Sequence, residues 1–313
     1  MTSFRDLPNP HASTLKNLQL KIGDYEVHAV PTGLFGLDGG AMFGTVPKVL
    51  WEKSNPSDST NRIAMEARAL LLKSPTHRIL IDCGIGGDFV AKYGEKLGAK
   101  FEEMYAIDRG ATSLEGSLKR LGLTPDDITH VIFTHLHFDH AGAATKSENG
   151  NIVPTFINAK HFVQRANLET ARLPNRREKA SYFGVNFEAV IANNQMEVLD
   201  GPVNELLPGV SVAITNGHTL GQQYVRISDG KNTVYYCGDL IPTSSHVRLP
   251  WVMGYDLRPL ELIEEKAILL EQATKESAYL FFEHDPYLDL VKVLADRGDF
   301  AVHERFRLAE VST

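Results

Sequence analysis

Three histidines and an aspartate lie within six residues, directly after an apolar segment of the chain. The apolar segment is residues 131–133, and the cluster is His135-Leu136-His137-Phe138-Asp139-His140. Because alternate residues of an extended chain point to the same side, His135 and His137 can direct their imidazoles to one point beyond a strand. A turn after them brings Asp139 and His140 to a second point nearby. The pattern predicts a metal site at the end of a buried strand.

The donor atoms of this cluster restrict the kind of metal. Imidazole nitrogens and a carboxylate suit divalent zinc, with iron, manganese or cobalt as alternatives. No cysteine lies in the cluster, which argues against a structural zinc cage. Histidine accounts for only 12 of the 313 residues, so three in such a short segment favour a ligand cluster over a chance surface group.

Four donors cannot complete the ligand shells of two metal ions, so further ligands are expected at other strand ends. Each candidate follows an apolar segment and is next to a glycine or a proline turn. Taken singly, each is better explained as a core histidine or a turn aspartate; taken together, their common placement favours metal ligands. The candidates are His218, Asp239 and His284, after predicted strands at residues 210–215, 233–237 and 278–282.

The order of predicted strands and helices is mixed. Strands come in pairs with helices between them, and residues 259–277 have the apolar spacing of an amphipathic helix. This order favours two sheets packed together with helices outside over one parallel sheet. We expect one domain, residues 1–313, with an irregular glycine-containing loop at about 32–61 and a partly helical insertion at about 165–194.

Composition excludes several classes of partner. The chain has 32 lysines and arginines against 39 aspartates and glutamates, a net charge of −7, and it has no long basic run. Nucleic acid is therefore not expected as a substrate. No apolar run is long enough to span a membrane, and the N-terminus lacks the apolar segment of a signal peptide. With Cys83 and Cys237 expected as reduced, buried thiols, we predict a cytoplasmic protein without membrane partners.

The full set of motifs resembles the metallo-β-lactamase superfamily. Residues 80–84 are similar to that family's first motif, which has an aspartate, here Asp82, shortly before a glycine. The resemblance implies an α/β fold, a four-layer αβ/βα sandwich with two metal ions at the edge where the sheets meet. It also implies the following roles: His135, His137 and His218 bind one ion, Asp139, His140 and His284 bind the other, Asp239 bridges both, and Asp82 fixes a ligand imidazole.

Such a centre implies hydrolysis. Two close metal ions share a bridging hydroxide and lower the pKa of bound water from about 15.7 toward about 7. They also polarise the carbonyl or phosphoryl oxygen of the substrate, so no serine nucleophile is required. Asp239, as the bridging ligand, and Asp139, as a proton carrier for the leaving group, are the candidate catalytic carboxylates.

The metal motif resembles that of the N-acyl-homoserine lactone lactonases, so an ester-like small molecule, above all a lactone, is the expected substrate. Several of those lactonases have a tyrosine three residues after the bridging aspartate, where this chain has Pro242. The methyl parathion hydrolases, which act on phosphotriesters, are a second similar group, and other esters or thioesters are further alternatives. Candidate pocket residues, with ordinary packing as the alternative for most of them, are Met42, Phe43, Phe138, His246, Trp251, Met253 and Tyr255.

A hypothesis of a different class is a non-catalytic binding protein that retains its metal site. The complete ligand set argues against it, because an inactive copy is free to lose ligands. We therefore predict a zinc-dependent hydrolase, and we leave open whether it forms a homodimer.

Overall fold

A computed structural model describes residues 3–108 and 112–309. The described chain falls into two compact units. One comprises Asp24–Phe35 and Ala67–Pro202 and contains the histidine cluster; we call it the motif unit. The other comprises the described residues up to Gly23 together with Gly36–Glu66 and Val203–Ala309, and we call it the C-terminal unit.

The strands are numbered in chain order. They are β1 Leu15–Leu18, β2 Leu20–Ile22, β3 Tyr25–Asp38, β4 Arg62–Lys73, β5 Arg78–Ile81, β6 His130–Ile132, β7 Thr145–Glu148, β8 Asn151–Pro154, β9 Lys160–Gln164, β10 Met196–Leu199, β11 Val203–Leu207, β12 Val210–Thr215, β13 Gln222–Ser228, β14 Thr233–Tyr236, β15 Tyr279–Phe281, β16 Leu290–Asp296 and β17 Asp299–Leu308.

The α-helices are numbered in the same way. They are α1 Gly39–Phe43, α2 Lys48–Trp51, α3 Phe89–Tyr93, α4 Glu95–Tyr105, α5 Leu114–Arg120, α6 Phe138–Ala141, α7 Arg165–Arg172, α8 Glu188–Ala192 and α9 Pro259–Glu276. Within residues 3–108 and 112–309, none of the helices combines the length and the apolar content needed to cross a bilayer.

The motif unit is built on a mixed sheet with the order β10-β9-β6-β5-β4-β3. Strands β10, β9, β6 and β5 run parallel to one another, and β4 is antiparallel to β5. Parallel strands buried on both faces are apolar without alternation, as residues 131–133 are. Because the carboxyl ends of parallel strands lie at one edge of the sheet, the residues after β5 and β6 are neighbours.

One apolar cluster fills the motif unit. It joins residues of β5 and β6 to Leu114 and Leu118 of α5 and to Leu168 and Ala171 of α7. Helices α5 and α7 therefore present an apolar face to the sheet, and most of their charged residues lie on the solvent side.

The C-terminal unit is built on a second mixed sheet with the order β1-β17-β16-β15-β14-β13-β12-β11. The β1–β17 and β14–β15 pairs are parallel, and the other neighbours are antiparallel. Helix α9 packs its apolar face, formed by Leu262, Leu269, Leu270 and Ala273, into the core of this unit. Its bounds agree with the predicted helix at residues 259–277, and the predicted α/β class is confirmed.

The expected irregular loop at residues 32–61 is wrong in its first part. Strand β3 continues to Asp38, α1 follows it directly, and α2 begins at Lys48. Two of the glycines that suggested turns are sites of close packing. A Cβ atom on Gly36 would lie 2.5 Å from the ring of Phe4, and one on Gly39 would lie 2.4 Å from the ring of Trp51.

The insertion at about residues 165–194 contains α7 and α8, joined by irregular chain and a short 3-10 turn at Gly184–Asn186. The last two strands, β16 and β17, form a hairpin that the sequence analysis did not predict. They extend the sheet of the C-terminal unit beyond the last recognisable motif.

Candidate functional site

In the motif unit, the histidine cluster begins where β6 ends. The strand ends at Ile132, and the backbone amide of the next residue, Phe133, still donates to the carbonyl oxygen of Phe162 at 3.0 Å. The chain then turns into the single turn of α6, closed by the amide of Ala141 on the carbonyl oxygen of His137 at 2.9 Å. The strand-then-turn arrangement deduced from the sequence is therefore present.

The imidazoles of this segment lie against one another. Nε2 of His135 is 3.0 Å from Nδ1 of His137, and the ring centroids of His135 and His140 are 3.9 Å apart. All three rings are buried, and Asp139 between them is half-buried. Imidazole rings packed this closely can direct nitrogen lone pairs into a common volume, which is the arrangement that a divalent ion requires.

Asp82, which follows β5, fixes the orientation of His140. Its Oδ2 lies 3.0 Å from Nδ1 of His140 and accepts the hydroxyl of Thr134 at 2.7 Å, while Oδ1 accepts the amide of Thr134 at 2.7 Å. A carboxylate accepts hydrogen bonds, so Nδ1 of His140 carries the proton and the ring lone pair is at Nε2. This is the tautomer in which Nε2 binds a metal ion.

The insertion supports the same segment from another side. Asn167 of α7 accepts the amide of Leu136 at 2.9 Å and donates to the hydroxyl of Tyr182 at 3.1 Å. The Tyr182 ring packs on His137, with centroids 4.5 Å apart, and the carbonyl of Ser181 accepts the amide of Phe138 at 2.9 Å. The sequence analysis did not predict this role, because polar residues in an insertion resemble solvent-exposed ones.

Phe138 lies in an aromatic cluster of the motif unit. Its ring centroid is 4.8 Å from that of Phe101 and 5.1 Å from that of Tyr105, both on α4, and 6.4 Å from that of Phe183 in the insertion. Burial, together with the charge of Asp139, raises the pKa of Tyr105 to about 12. Tyr105 therefore stays protonated and is a hydrogen-bond donor at neutral pH.

In the C-terminal unit, the three predicted ligands come together at one carboxylate. Oδ2 of Asp239 lies 3.2 Å from Nε2 of His218, and Oδ1 of Asp239 lies 3.3 Å from Nε2 of His284. His218 follows β12, Asp239 follows β14 and His284 follows β15. Each oxygen of one carboxylate thus faces a different imidazole, and all three side chains are buried.

Both histidines of this group have a partner at Nδ1. The ring of His218 lies 2.9 Å from Oδ1 of Asp256, and the ring of His284 lies 2.9 Å from the carbonyl oxygen of Glu66. As at His140, an acceptor at Nδ1 places the lone pair at Nε2, toward Asp239. Burial raises the pKa of Asp256, opposed by its hydrogen bond to His218.

Asp256 is a functional candidate that the sequence analysis missed. It stands in an irregular segment without strand periodicity, and its other oxygen accepts the amide of Met253 at 2.7 Å. The only sequence signal is its position just before α9, where an aspartate is ordinarily interpreted as a capping residue.

Comparison with known proteins identifies the family. The sequence profile of the metallo-beta-lactamase superfamily matches residues 66–284, a span that includes all seven predicted ligands. The chain belongs to the metallo-β-lactamase superfamily. An N-acyl homoserine lactonase of Bacillus cereus is 30% identical over 270 residues, which cover 83% of this chain and 93% of that protein.

Two solved structures extend the comparison to the fold. A probable metal-dependent hydrolase from Staphylococcus aureus superimposes with a TM-score of 0.82 and 30% identity, and covers 94% of this chain and 100% of its own. AidC, a dizinc quorum-quenching lactonase in complex with its product, has a TM-score of 0.71 and 20% identity, with 92% and 96% covered. The predicted metallo-β-lactamase fold is confirmed, and the chain is a metal-dependent hydrolase of this superfamily.

The candidate ligand atoms of each unit are of the kinds that bind divalent metal ions. In the motif unit, two imidazole nitrogens 3.0 Å apart both lie within reach of one ion at the usual Zn–N distance of about 2.0–2.1 Å. In the C-terminal unit, one carboxylate offers its two oxygens separately beside two imidazoles. Neutral imidazoles with a fixed tautomer, together with a carboxylate, are the ligands that zinc takes in catalytic sites.

Six of the seven predicted pocket residues of this hydrolase belong to the C-terminal unit. His246 is buried, with Nδ1 2.7 Å from the hydroxyl of Thr243 and Nε2 2.9 Å from the carbonyl oxygen of Met42. Burial lowers the pKa of His246 to about 3, so the ring is neutral. The structure thus gives both ring nitrogens a protein partner.

The other candidates divide by exposure. Phe43 stacks between His246 and Trp51, with centroids 4.7 Å and 5.1 Å away, and Met42 and Met253 are buried as well. Trp251 is half-buried, with its ring edge-on to Phe43, and Tyr255 is 41% exposed. Trp251 and Tyr255 are therefore the aromatic candidates with surface left to meet a small molecule.

Proposed function

We propose that this hydrolase uses a dinuclear metal centre, with zinc as the metal. The observation that carries the proposal is Asp239, whose two oxygens each face a different histidine, as a bridging ligand requires. The assigned ligands are His135, His137 and His218 for one ion, Asp139, His140 and His284 for the other, and Asp239 for both.

The protein's contribution to the reaction lies in its fixed donors. Two ions bound by these residues would supply Lewis-acid activation of the substrate carbonyl and water acidic enough to attack at neutral pH. Asp82 and Asp256 hold the tautomers of His140 and His218, so no reorganisation of those rings is needed when substrate arrives. Asp139 is half-buried, and its carboxylate is suited to carry a proton to the leaving oxygen.

We assign the substrate to the lactones, cyclic esters with an apolar portion. The 30% identity to an N-acyl homoserine lactonase over most of both chains supports this class. Trp251 and Tyr255 offer aromatic surface for an apolar substituent, in keeping with the usual lining of small-molecule sites. Pro242 stands three residues after Asp239, and its carbonyl oxygen accepts the amide of His284 at 3.3 Å, so this position serves ligand placement.

The test of the substrate class is a hydrolysis screen of the zinc-loaded protein. The panel contains lactones of increasing acyl length, aryl esters, aryl phosphotriesters, thioesters and β-lactams. Lactones are expected to give the highest kcat/KM. Faster turnover of aryl phosphotriesters would replace the lactone assignment with a phosphotriesterase, and turnover of thioesters alone would show that the pocket assignment is wrong.

The test of the dinuclear centre is elemental analysis combined with the Asp239→Asn variant. The wild type is expected to hold two ions per chain. Asp239→Asn removes a negative ligand shared by both ions, so metal content should fall and kcat should drop by orders of magnitude with an unchanged circular dichroism spectrum. Wild-type turnover and metal content in this variant would refute the bridging role.

The location proposed for this enzyme is the cytoplasm. Cys83 and Cys237, the two cysteines of the chain, are both buried and form no disulfide with each other. Buried thiols of this kind are typical of proteins in a reducing compartment.

A further inference from the structure

Helix α9 carries two adjacent charged residues that bind main-chain atoms of the C-terminal unit. The carboxylate of Glu265 accepts the amide of Asn216 at 2.7 Å through one oxygen and that of Gly217 at 3.0 Å through the other. These amides directly precede His218. The carbonyl oxygens of Gly217 and His218 in turn accept the amides of Arg258 at 2.8 Å and Leu257 at 3.2 Å.

Lys266 reaches a different segment. Its side chain is fully buried, and its Nζ donates to the carbonyl oxygens of His246 at 3.1 Å, Arg248 at 2.9 Å and Trp251 at 2.8 Å. An ammonium group has three protons, so these three acceptors use all of them. The bound segment, residues 246–251, follows Asp239 in the chain; it ends at Trp251, and Tyr255 comes four residues later.

Burial of a charged ammonium group on a helix face has a cost in free energy. The neighbouring buried positions of α9 are apolar, namely Leu262, Leu269 and Leu270. Burial lowers the pKa of Lys266 to about 7, because this environment disfavours the charged form. An apolar side chain would fill the same space without that penalty, but it could not bind three carbonyl oxygens.

We propose that Glu265 and Lys266 are positioning residues with separate tasks, Glu265 for the metal ligand His218 and Lys266 for the substrate-facing loop of residues 246–251. Glu265 fixes the backbone from which the His218 imidazole projects, so it sets metal affinity. Lys266 fixes the backbone that carries Trp251, so it sets substrate affinity. The second task rests on the proposed lactonase function, and the first rests only on the proposed role of His218 as a metal ligand.

The experiment compares Glu265→Gln with Lys266→Met. Glutamine keeps one acceptor oxygen and presents an amide group to the second backbone N–H. Methionine keeps the length of lysine and removes its charge. Glu264→Gln, on the exposed side of the same turn, is the matched control for charge removal. All three variants are checked for folding by thermal unfolding.

Two readouts separate the tasks. Zinc affinity, from competition with a chromophoric chelator, is expected to fall by roughly 10-fold in Glu265→Gln and to change less than about twofold in Lys266→Met. For a long-chain lactone, Lys266→Met is expected to raise KM by about tenfold with kcat nearly unchanged, because binding common to the ground and transition states is lost. The control should match the wild type in both.

A third readout needs no substrate. Hydrogen exchange of the backbone amides of residues 246–256 should accelerate in Lys266→Met and not in Glu265→Gln. If the wild type hydrolysed no lactone, the proposed substrate would fail, while zinc affinity and hydrogen exchange would still decide the positioning roles.

Specific results would overturn the proposal. Equal losses of zinc affinity in both variants would show that α9 is only a general structural support. If Lys266→Met changed neither KM nor the hydrogen exchange of the loop, Lys266 would not position that loop. If Lys266→Met does not fold, Lys266→Gln replaces it, with a smaller rise in KM expected because its amide still donates two hydrogens.

Discussion

The motif unit and the C-terminal unit position the proposed metal ligands in two different ways. In the motif unit, the four proposed ligands lie within six residues, and they are supported by Asp82 and by the insertion. In the C-terminal unit, the proposed ligands His218, Asp239 and His284 come from three separate strand ends. Helix α9 and Asp256 support His218, and the carbonyl oxygen of Glu66 lies at Nδ1 of His284. The difference shows that a contiguous cluster can share its supporting residues, whereas ligands from separate strand ends have separate partners.

The two units nevertheless share one local device, a buried carboxylate at Nδ1 of a histidine. The pairs are Asp82 with His140 at 3.0 Å and Asp256 with His218 at 2.9 Å. In each pair, a backbone amide also fixes the carboxylate. The amide of Thr134 donates to Asp82, and the amide of Met253 donates to Asp256. The device can be tested in both units with the same substitution.

The largest effect is expected for Asp82→Asn and Asp256→Asn. An asparagine amide can donate to Nδ1, which favours the tautomer with the proton on Nε2 and blocks metal binding there. Zinc affinity should fall by about 10–100-fold in each variant, measured by chelator competition. Asp82→Asn should lose more, because Asp82 also accepts the hydroxyl of Thr134.

The backbone conformation does not confound this comparison. Asp82 has a φ of +54°, a conformation that asparagine adopts readily. Asp296→Asn, at an exposed position at the end of β16, is the control and should keep wild-type affinity. A loss confined to one of the two buried positions would show that the units do not share the device.

The next largest effect, on the free energy of unfolding, is expected at two glycines that lie beside the segments carrying the proposed metal ligands. A Cβ atom on Gly142 would lie 2.1 Å from the carbonyl oxygen of Ile85, and one on Gly217 would lie 2.4 Å from Cα of Leu262. Because backbone atoms cannot move aside easily, Gly142→Ala and Gly217→Ala should each lower the free energy of unfolding by about 1–3 kcal/mol.

Urea unfolding of the metal-free protein measures these changes. Gly184→Ala is the control, because its new methyl group would make an ordinary contact of 3.6 Å with the side chain of Glu188. It should stay within about 0.5 kcal/mol of the wild type. If Gly217→Ala were as mild as the control, the close packing of α9 on the His218 segment would be of no energetic importance.

The sequence predicted the elements that carry strong periodicity and the ligands that stand at their ends. Residues 131–133 are wholly apolar, and the residues of α9 have the spacing of an amphipathic helix. Both β6 and α9 could therefore be recognised from the sequence. The contiguous cluster of His135, His137 and His140 needed no structure at all. His218, Asp239 and His284 became credible only as a set.

What the sequence did not predict depends on tertiary packing. Gly36 suggested a turn, whereas it makes room for the ring of Phe4. Strand β17 is half-buried along most of its length and rich in charged residues, so it lacks a clear alternation. Asp256, Glu265 and Lys266 resemble surface charges in sequence, and only their buried partners in the fold distinguish them.

A smaller effect is expected on the pH dependence of stability, and it involves one buried lysine in each unit. Lys92 of α3 donates to the carbonyl oxygens of Gly142 and Thr145, after the histidine cluster, and burial lowers its pKa from 10.5 to about 8. Burial lowers the pKa of Lys266 further, to about 7. Between these values and 10.5 the unfolded chain binds more protons, so each lysine makes stability rise with pH.

The measurement is the difference in free energy of unfolding between the wild type and each Lys→Met variant, at pH values from 6.5 to 10.5. The difference should change in favour of the wild type as pH rises, over a wider range for Lys266 than for Lys92. Lys275→Met, at an exposed position of α9, should show no such trend. A pH-independent difference for both buried lysines would contradict the calculated sign.

The smallest effect is expected for the cysteines, of which each unit has one. Cys83 and Cys237 are buried and form no disulfide with each other, so they act as small apolar side chains. Mild reducing agent should leave zinc content and turnover unchanged. A marked loss of either on reduction would be incompatible with two reduced thiols.

The contacts of the insertion limit how this enzyme can be engineered. A segment bonded to Leu136 and Phe138 through Asn167 and Ser181 cannot be exchanged as a module, because a replacement would have to reproduce those two bonds. Exchange of loops between relatives should therefore retain Asn167 at one end and Ser181 and Tyr182 at the other. The outer face between them, where Leu173 is 86% exposed, is the part in which new sequence can be introduced without disturbing the histidines.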